Sequence, residues 1–259
     1  MEREYDGMRV LITGGSAGLG LAAADLLAER GASVAICGRD ADRLASAAAQ
    51  IRAHGGSVLT STLDVTHAQN LGEWIEHVGN EWGGIDGLVN NAGVHTGGRF
   101  LTTTDEQWQA DFELKLLSAI RAIRIAAPLM ERSEGGSIVN VLSIFAKFQP
   151  EGSMPSSVFR AAGLAMTNGA AKELASMNVR VNGVLIGFAE SDQWVRAAAK
   201  QGITLAEHEA QLVDNLEIPI RRAGTSRESA EAIAFFLSTR SSYLTGTSIN
   251  VDGGLSPVI

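Results

Sequence analysis

The sequence predicts a single α/β domain built on a doubly wound parallel sheet, and three observations carry that expectation. Short apolar runs alternate with longer helical patterns from one end of the chain to the other. The runs are apolar throughout instead of alternating with polar residues. A glycine-rich turn, Thr13-Gly-Gly-Ser-Ala-Gly-Leu-Gly20, joins the first run to the first helical stretch. Strands without a polar face belong in parallel sheets covered by helices on both sides. Placing such a turn after the first strand makes the expected architecture Rossmann-type. A length of 259 residues with 45% hydrophobic content suits one domain over 1–259, and no repeat, low-complexity tract or linker divides it.

Taken in order, strands are expected at 10–12, 33–36, 58–63, 88–90, 137–142, 179–186 and 248–251, each a short apolar run. The Ala/Leu-rich stretches 19–30, 41–54 and 71–82 read as helices between them. Thr104-Asp-Glu-Gln107 has the spacing of a capping box and starts a long helix reaching about residue 130. After Met154-Pro155 an Ala/Gly-rich run makes another helix, with Ser156 and Arg160 on one face, one turn apart. Residues 190–222 break the rhythm. They are charged and amphipathic, as expected of a lid over a pocket, with Trp194, Val195, Leu205 and Leu212 as its apolar underside.

Composition excludes several classes of function. A net charge of −8 argues against nucleic acid or an anionic membrane as partner. The first residues are polar and no stretch is long and apolar enough to span a bilayer. One cysteine, Cys37, leaves no internal disulfide framework, and a cytoplasmic location is expected. The five histidines (54, 67, 77, 95 and 208) lack metal-ligand spacing, so no metal site is expected.

The chemistry starts at the glycine turn. Gly14, Gly18 and Gly20 permit a tight bend, and with Ser16 and Leu19 they bring backbone N–H groups at a helix start to a pyrophosphate. Near the end of the second strand an acidic residue would bind a ribose 2′-OH and repel a 2′-phosphate. Here the chain has Gly38-Arg39, and a guanidinium suits the phosphate, which favours NADP(H) over NAD(H).

The turn, Asn90-Asn-Ala-Gly93, Ser143 at a strand end and the tail Leu244-Thr-Gly-Thr-Ser-Ile-Asn-Val-Asp-Gly-Gly254 together resemble the short-chain dehydrogenase/reductase family over essentially the whole chain. The resemblance implies that Asp64 and Val65 contact the adenine, that Asn91, Ala92 and Gly93 line the adenosine ribose side, and that Gly187 and Ser191 lie by the carboxamide. It also implies a homotetramer or homodimer, a small-molecule substrate, and a Tyr-x-x-x-Lys pair about thirteen residues after the serine. Ser156-Ser-Val-Phe-Arg160 stands at that place. Serine is too weak an acid to replace a phenol, and arginine does not release its proton. Lys115 stands where the family carries an asparagine, so Ser143, Ser156, Arg160 and Lys115 form the expected catalytic set, with Lys115 as candidate proton donor. Lys147 and Glu151 are further titratable groups placed to line the substrate side, and His95 follows the Asn-Ala-Gly turn. Dienoyl-CoA reductases of this family use a tyrosine about eleven residues before that position, where this chain has Phe145. The expected function is therefore an NADP(H)-dependent oxidoreductase with a non-standard site, acting on a carbonyl, a carbinol or an activated C=C. The alternatives are a catalytically silent nucleotide-binding scaffold or sensor, and a non-redox isomerase or lyase.

Overall fold

A computed structural model describes residues 4–190 and 192–258. Its strands are β1 (Arg9–Thr13), β2 (Ser33–Gly38), β3 (Val58–Thr62), β4 (Gly87–Asn90), β5 (Gly136–Ser143), β6 (Val179–Ile186) and β7 (Ser248–Val251). They form one sheet in the order β3-β2-β1-β4-β5-β6-β7, with every pairing parallel. All seven expected strands are present, with ends shifted by at most two residues. The inner strands β1, β2, β4, β5 and β6 are buried on both faces, which is why their runs show no polar alternation, while Thr60 and Thr62 of the edge strand β3 are exposed. Val10 and Ile12 point into one apolar layer with Leu26 and Phe236, while Leu11 between them points into the other with Trp74 and Ile75.

Helices α1 (Gly18–Glu29), α2 (Ala41–Arg52) and α9 (Ser226–Leu237) cover the first face. Helices α3 (Ala68–Glu81), α5 (Ser118–Glu131) and α6 (Ser156–Glu173) cover the second. Tyr5 is 2% exposed and donates its hydroxyl to the Ala234 carbonyl at 2.9 Å, so its phenol serves the core. Tyr243 is fully exposed at the opposite end of the chain.

Two details depart from the sequence expectation. Thr104 does cap the helix α4 (Asp105–Phe112), with Gln107 closing a reciprocal box. The long helix that follows is not uniform, however: residues Glu113–Leu117 form a π-helical turn before α5 continues the same rod. The segment 190–222 folds into α7 (Asp192–Gln201) and α8 (Leu205–Asn215). It starts and ends at one pinned point, where Ala189 bridges Gly224, Glu190 N–H donates to the Gly224 carbonyl, and Gly224 N–H to the Phe188 carbonyl. Trp194 stacks on Phe188 at 3.7 Å. Val195 and Leu205 are exposed, so they do not form the expected apolar underside; α8 turns His208 and Val213 inward instead. No helix among the described residues is long and apolar enough to cross a membrane.

The strand order reverses at β1, whose neighbours are β2 and β4. The connections after β1 and β4 therefore diverge, and a crevice opens at their C-terminal ends, where open α/β sheets bind ligands.

Candidate active site

A cleft of about 410 Å³ occupies that crevice. Its floor is the turn after β1. Gly14 and Gly18 hold φ of +67° and +54°, a left-handed conformation that side chains disfavour. Gly20 is demanded by contact: a Cβ there would lie 2.3 Å from the Gly14 carbonyl oxygen and 2.4 Å from Asn91 Nδ2. The Asn91 amide in turn donates to the carbonyls of Thr13 and Gly14 at 3.0 and 3.1 Å. Thr13 Oγ1 accepts from the backbone N–H groups of Asn91 and Ala92, both at 3.0 Å. The ends of β1 and β4 are thus tied into one unit. Ala17, the N-cap residue of α1, makes no side-chain capping bond, which leaves the first N–H groups of that helix open toward the cleft.

Of the residues singled out from sequence for the nucleotide, Gly14, Ser16, Gly18, Leu19, Arg39, Asp64, Val65, Asn91, Ala92, Gly93 and Gly187 all line this cleft. Gly20 is buried and does not line it, packing instead against the Gly14 carbonyl, and Ser191 lies outside the described residues. Arg39 is 72% exposed at the end of β2, with Asp64 Oδ2 at 3.8 Å. The neighbouring Asp40 is occupied elsewhere: it caps α2 by accepting from Arg43 N and Nε. Partial burial raises the Asp64 carboxyl, but two bonds from Thr66 and the charge of Arg39 prevail and hold it below the usual range.

The opposite wall is made of side chains. Ser143 ends β5 and lines the cleft, its Oγ accepting from Phe145 N–H at 3.3 Å. Arg160 reaches in from the first turns of α6 and donates through Nη1 to the Val141 carbonyl at 2.6 Å. Its Nη2 fills the space that Gly93 leaves, since a Cβ on Gly93 would meet it at 2.8 Å. Burial pushes the guanidinium down to about 10, against the opposing pull of Asp111. Ser156 is buried at the start of α6 and does not line the cleft.

Lys115 sits in the π-helical turn. Its ammonium donates to Asp111 Oδ1, one turn back, and to Thr96 Oγ1 at 3.0 Å, while the Thr96 hydroxyl donates to the same carboxylate oxygen at 2.6 Å. The side chains of Lys115 and Asp111 are 0% and 3% exposed. Burial pushes Lys115 down to about 8, opposed by the ion pair and helped by the nearby charge of Arg160. The ammonium is sealed from solvent and Lys115 does not line the cleft, so the structure does not present it as the direct proton donor expected from sequence. Asp111 Oδ2 is buried with no protein partner. Neither Asp111 nor Thr96 stands out in the sequence; the i, i+4 spacing of Asp111 to Lys115 was the available signal.

Three other candidates also find places. Lys147 donates to Asn250 Oδ1 at 2.8 Å and thereby ties the loop after β5 to β7. Glu151 pairs with Arg99 at 2.8 Å on the exposed rim. His95 packs edge-on against Phe145, with ring centroids 6.0 Å apart.

Comparison with known proteins agrees with this geometry. A family model described as enoyl-(acyl carrier protein) reductase matches residues 14–256. A 3-oxoacyl-[acyl-carrier-protein] reductase of Thermotoga maritima is 33% identical over 250 residues, 96% of this chain and 98% of its own. A short-chain oxidoreductase of Pseudomonas aeruginosa PAO1, solved with NADPH and described as containing an atypical catalytic center, is 38% identical over 98% of this chain and 100% of its own, with a TM-score of 0.93. The L-sorbose reductase of Gluconobacter frateurii, solved with NADPH and L-sorbose, is 31% identical over the full length of both chains, with a TM-score of 0.94.

Proposed function

The chain belongs to the short-chain dehydrogenase/reductase family of oxidoreductases, and from that premise we propose that it uses NADP(H) to interconvert a carbonyl or activated alkene with its reduced form, through an active site unlike the family's usual one. The observation that carries the reading is continuity. The glycine turn below the uncapped start of α1 and the pair Ser143 and Arg160 face one cleft.

When bound, NADP(H) supplies or takes the hydride. The chain's own residues do the rest. Backbone N–H groups at the start of α1 hold the pyrophosphate, since Gly14, Gly18 and Gly20 let it approach closely. Arg39 meets the 2′-phosphate with an exposed guanidinium that Asp40 does not compete for. Asp64 and Val65 border the adenine, and Asn91 keeps the turn in shape. Gly187 borders the nicotinamide, and the segment 190–222 covers the substrate as a lid.

Ser156 and Arg160 take the places of the family's tyrosine and lysine. Arg160 cannot relay a proton, but it holds a ribose hydroxyl or the substrate oxygen and stabilises charge that develops there. Ser143 Oγ donates to the same oxygen. The buried Lys115 adds positive potential behind Arg160 while Asp111 moderates it. The P. aeruginosa relative, with its own atypical center and bound NADPH, supports a redox role for such a site.

Parallel calorimetric titrations with NADPH and NADH test the cofactor, followed by a panel of ketones and enones that monitors NADPH absorbance. Binding with preference for NADPH and turnover of any panel member is the expected result. Binding without turnover supports a silent scaffold, and conversion without NADPH consumption a non-redox enzyme. A homotetramer or homodimer is expected by light scattering.

A further inference from the structure

The cleft needs a group that exchanges protons with water and also reaches the substrate, and the residues expected from sequence do not supply it. Lys115 is sealed, Arg160 keeps its proton, and the serines are too weakly acidic. Tyr5 is bonded inside the core and Tyr243 lies on the far surface. We infer that His95 is the acid/base of this site, giving a proton to the substrate oxygen during reduction and taking it back during oxidation; the inference rests on the oxidoreductase reading above.

Four placements support it. His95 stands between Val94, which lines the cleft, and Thr96, which is bonded to Asp111 and Lys115. Its ring packs on Phe145, two residues beyond Ser143. The charged groups facing it come from three elements: Asp111 on α4, Lys115 on the π-helical turn and Arg160 on α6. The residue is exposed to solvent, so the ring re-equilibrates with water after each turnover. Partial burial, and then the charges of Lys115 and Arg160, hold the imidazole below its ordinary 6.5 against the pull of Asp111.

The step balances simply. Hydride adds to the carbonyl carbon, the nicotinamide is oxidised, the oxygen takes a proton from an imidazolium N–H, and the neutral ring recovers its proton from water. Reduction needs the protonated ring, so its kcat/KM rises as pH falls toward the histidine midpoint; oxidation needs the neutral ring and levels off above it.

The test pairs kinetics with spectroscopy on the full chain. His95→Gln should lower kcat about 100-fold, abolish the inflection at the histidine midpoint and leave the NADPH dissociation constant unchanged by calorimetry. Added imidazole should restore part of the rate to His95→Gly. In an NMR titration of the native protein, the ring resonance assigned by its loss in His95→Gln should move with a midpoint below 6.5. Wild-type rate and pH profile in His95→Gln, or a loss confined to Glu190→Gln, the carboxyl on the lid side of the cleft, overturns the role of His95 and leaves the oxidoreductase reading intact. A midpoint at or above 6.5 overturns the placement among the cations. NADPH binding with no turnover by the native protein over the whole panel overturns the oxidoreductase reading, and this role with it.

Discussion

Between β1 and α1 the cleft wall is bare backbone: Gly14 and Gly18 in left-handed conformations, Gly20 pressed against the Gly14 carbonyl, and a helix start with no side-chain cap. Between α4 and α6 the wall is side chain: Arg160 at the cleft, with Asp111 and Lys115 buried near it, drawn from three elements and largely hidden from water. The first wall binds by what its residues lack, and its geometry follows from a local run of eight positions. The second works by charge, and a charge in a low-dielectric interior is governed by whatever is packed around it. One wall should therefore tolerate changes of charge and fail with added bulk, and the other the reverse.

Gly20→Val is the largest challenge to the backbone wall. Its Cβ falls on the Gly14 carbonyl at 2.3 Å with no flexible neighbour to yield, so NADPH binding should disappear from calorimetry and the Tm should fall by roughly 10 °C. Normal binding by this variant would mean that the turn is not the cradle. Next is Lys115→Met, which strands a buried carboxylate and should cost about 3–5 kcal/mol in denaturant unfolding. Adding Asp111→Leu should recover most of that loss; a single-variant cost below about 1 kcal/mol would place the pair in solvent.

Arg160→Gln retains a donor for Val141 but removes the charge, and kcat should drop about 100-fold with the fold intact by circular dichroism. An unchanged kcat would take the charge out of the mechanism. Arg39→Ala should weaken NADPH about tenfold and NADH hardly at all, the loss of one charge-assisted bond. Equal weakening of both cofactors would show that Arg39 does not read the 2′-phosphate. The smallest effect is that of pH on Lys115. The ammonium is charged below about 8 and neutral above, so beyond the fall that deprotonation of His95 imposes, kcat for reduction should lose a further several-fold as pH rises through that value, a step missing from the Lys115→Met, Asp111→Leu double variant.

The same contrast explains what was legible beforehand. The inner strands could be read from apolar runs, because a strand buried on both faces has no other pattern available; the edge strands β3 and β7 are less buried. The Thr104 capping box was legible because its bonds span only three residues. The π-helical turn at Glu113–Leu117 was not, since a one-residue change in helical pitch leaves the apolar spacing nearly the same. Nor were the orientations of Val195 and Leu205, because an amphipathic segment states that it has an apolar face and not what that face meets.

The sequence by itself determined the α/β class, the parallel doubly wound sheet and the glycine turn after the first strand, since each depends on patterns within a few residues or on the alternation of strands and helices. Only the tertiary structure decided the charge environment opposite. Thr96 reaches Asp111 and Lys115 from the loop after β4. The buried run Asn90–Asn140–Thr167 bonds β4 to β5 and β5 to α6 and so sets where Arg160 arrives. Whether an ammonium is sealed or solvated depends on groups such as Thr96, 19 residues away in the chain, and burial moves its proton affinity most.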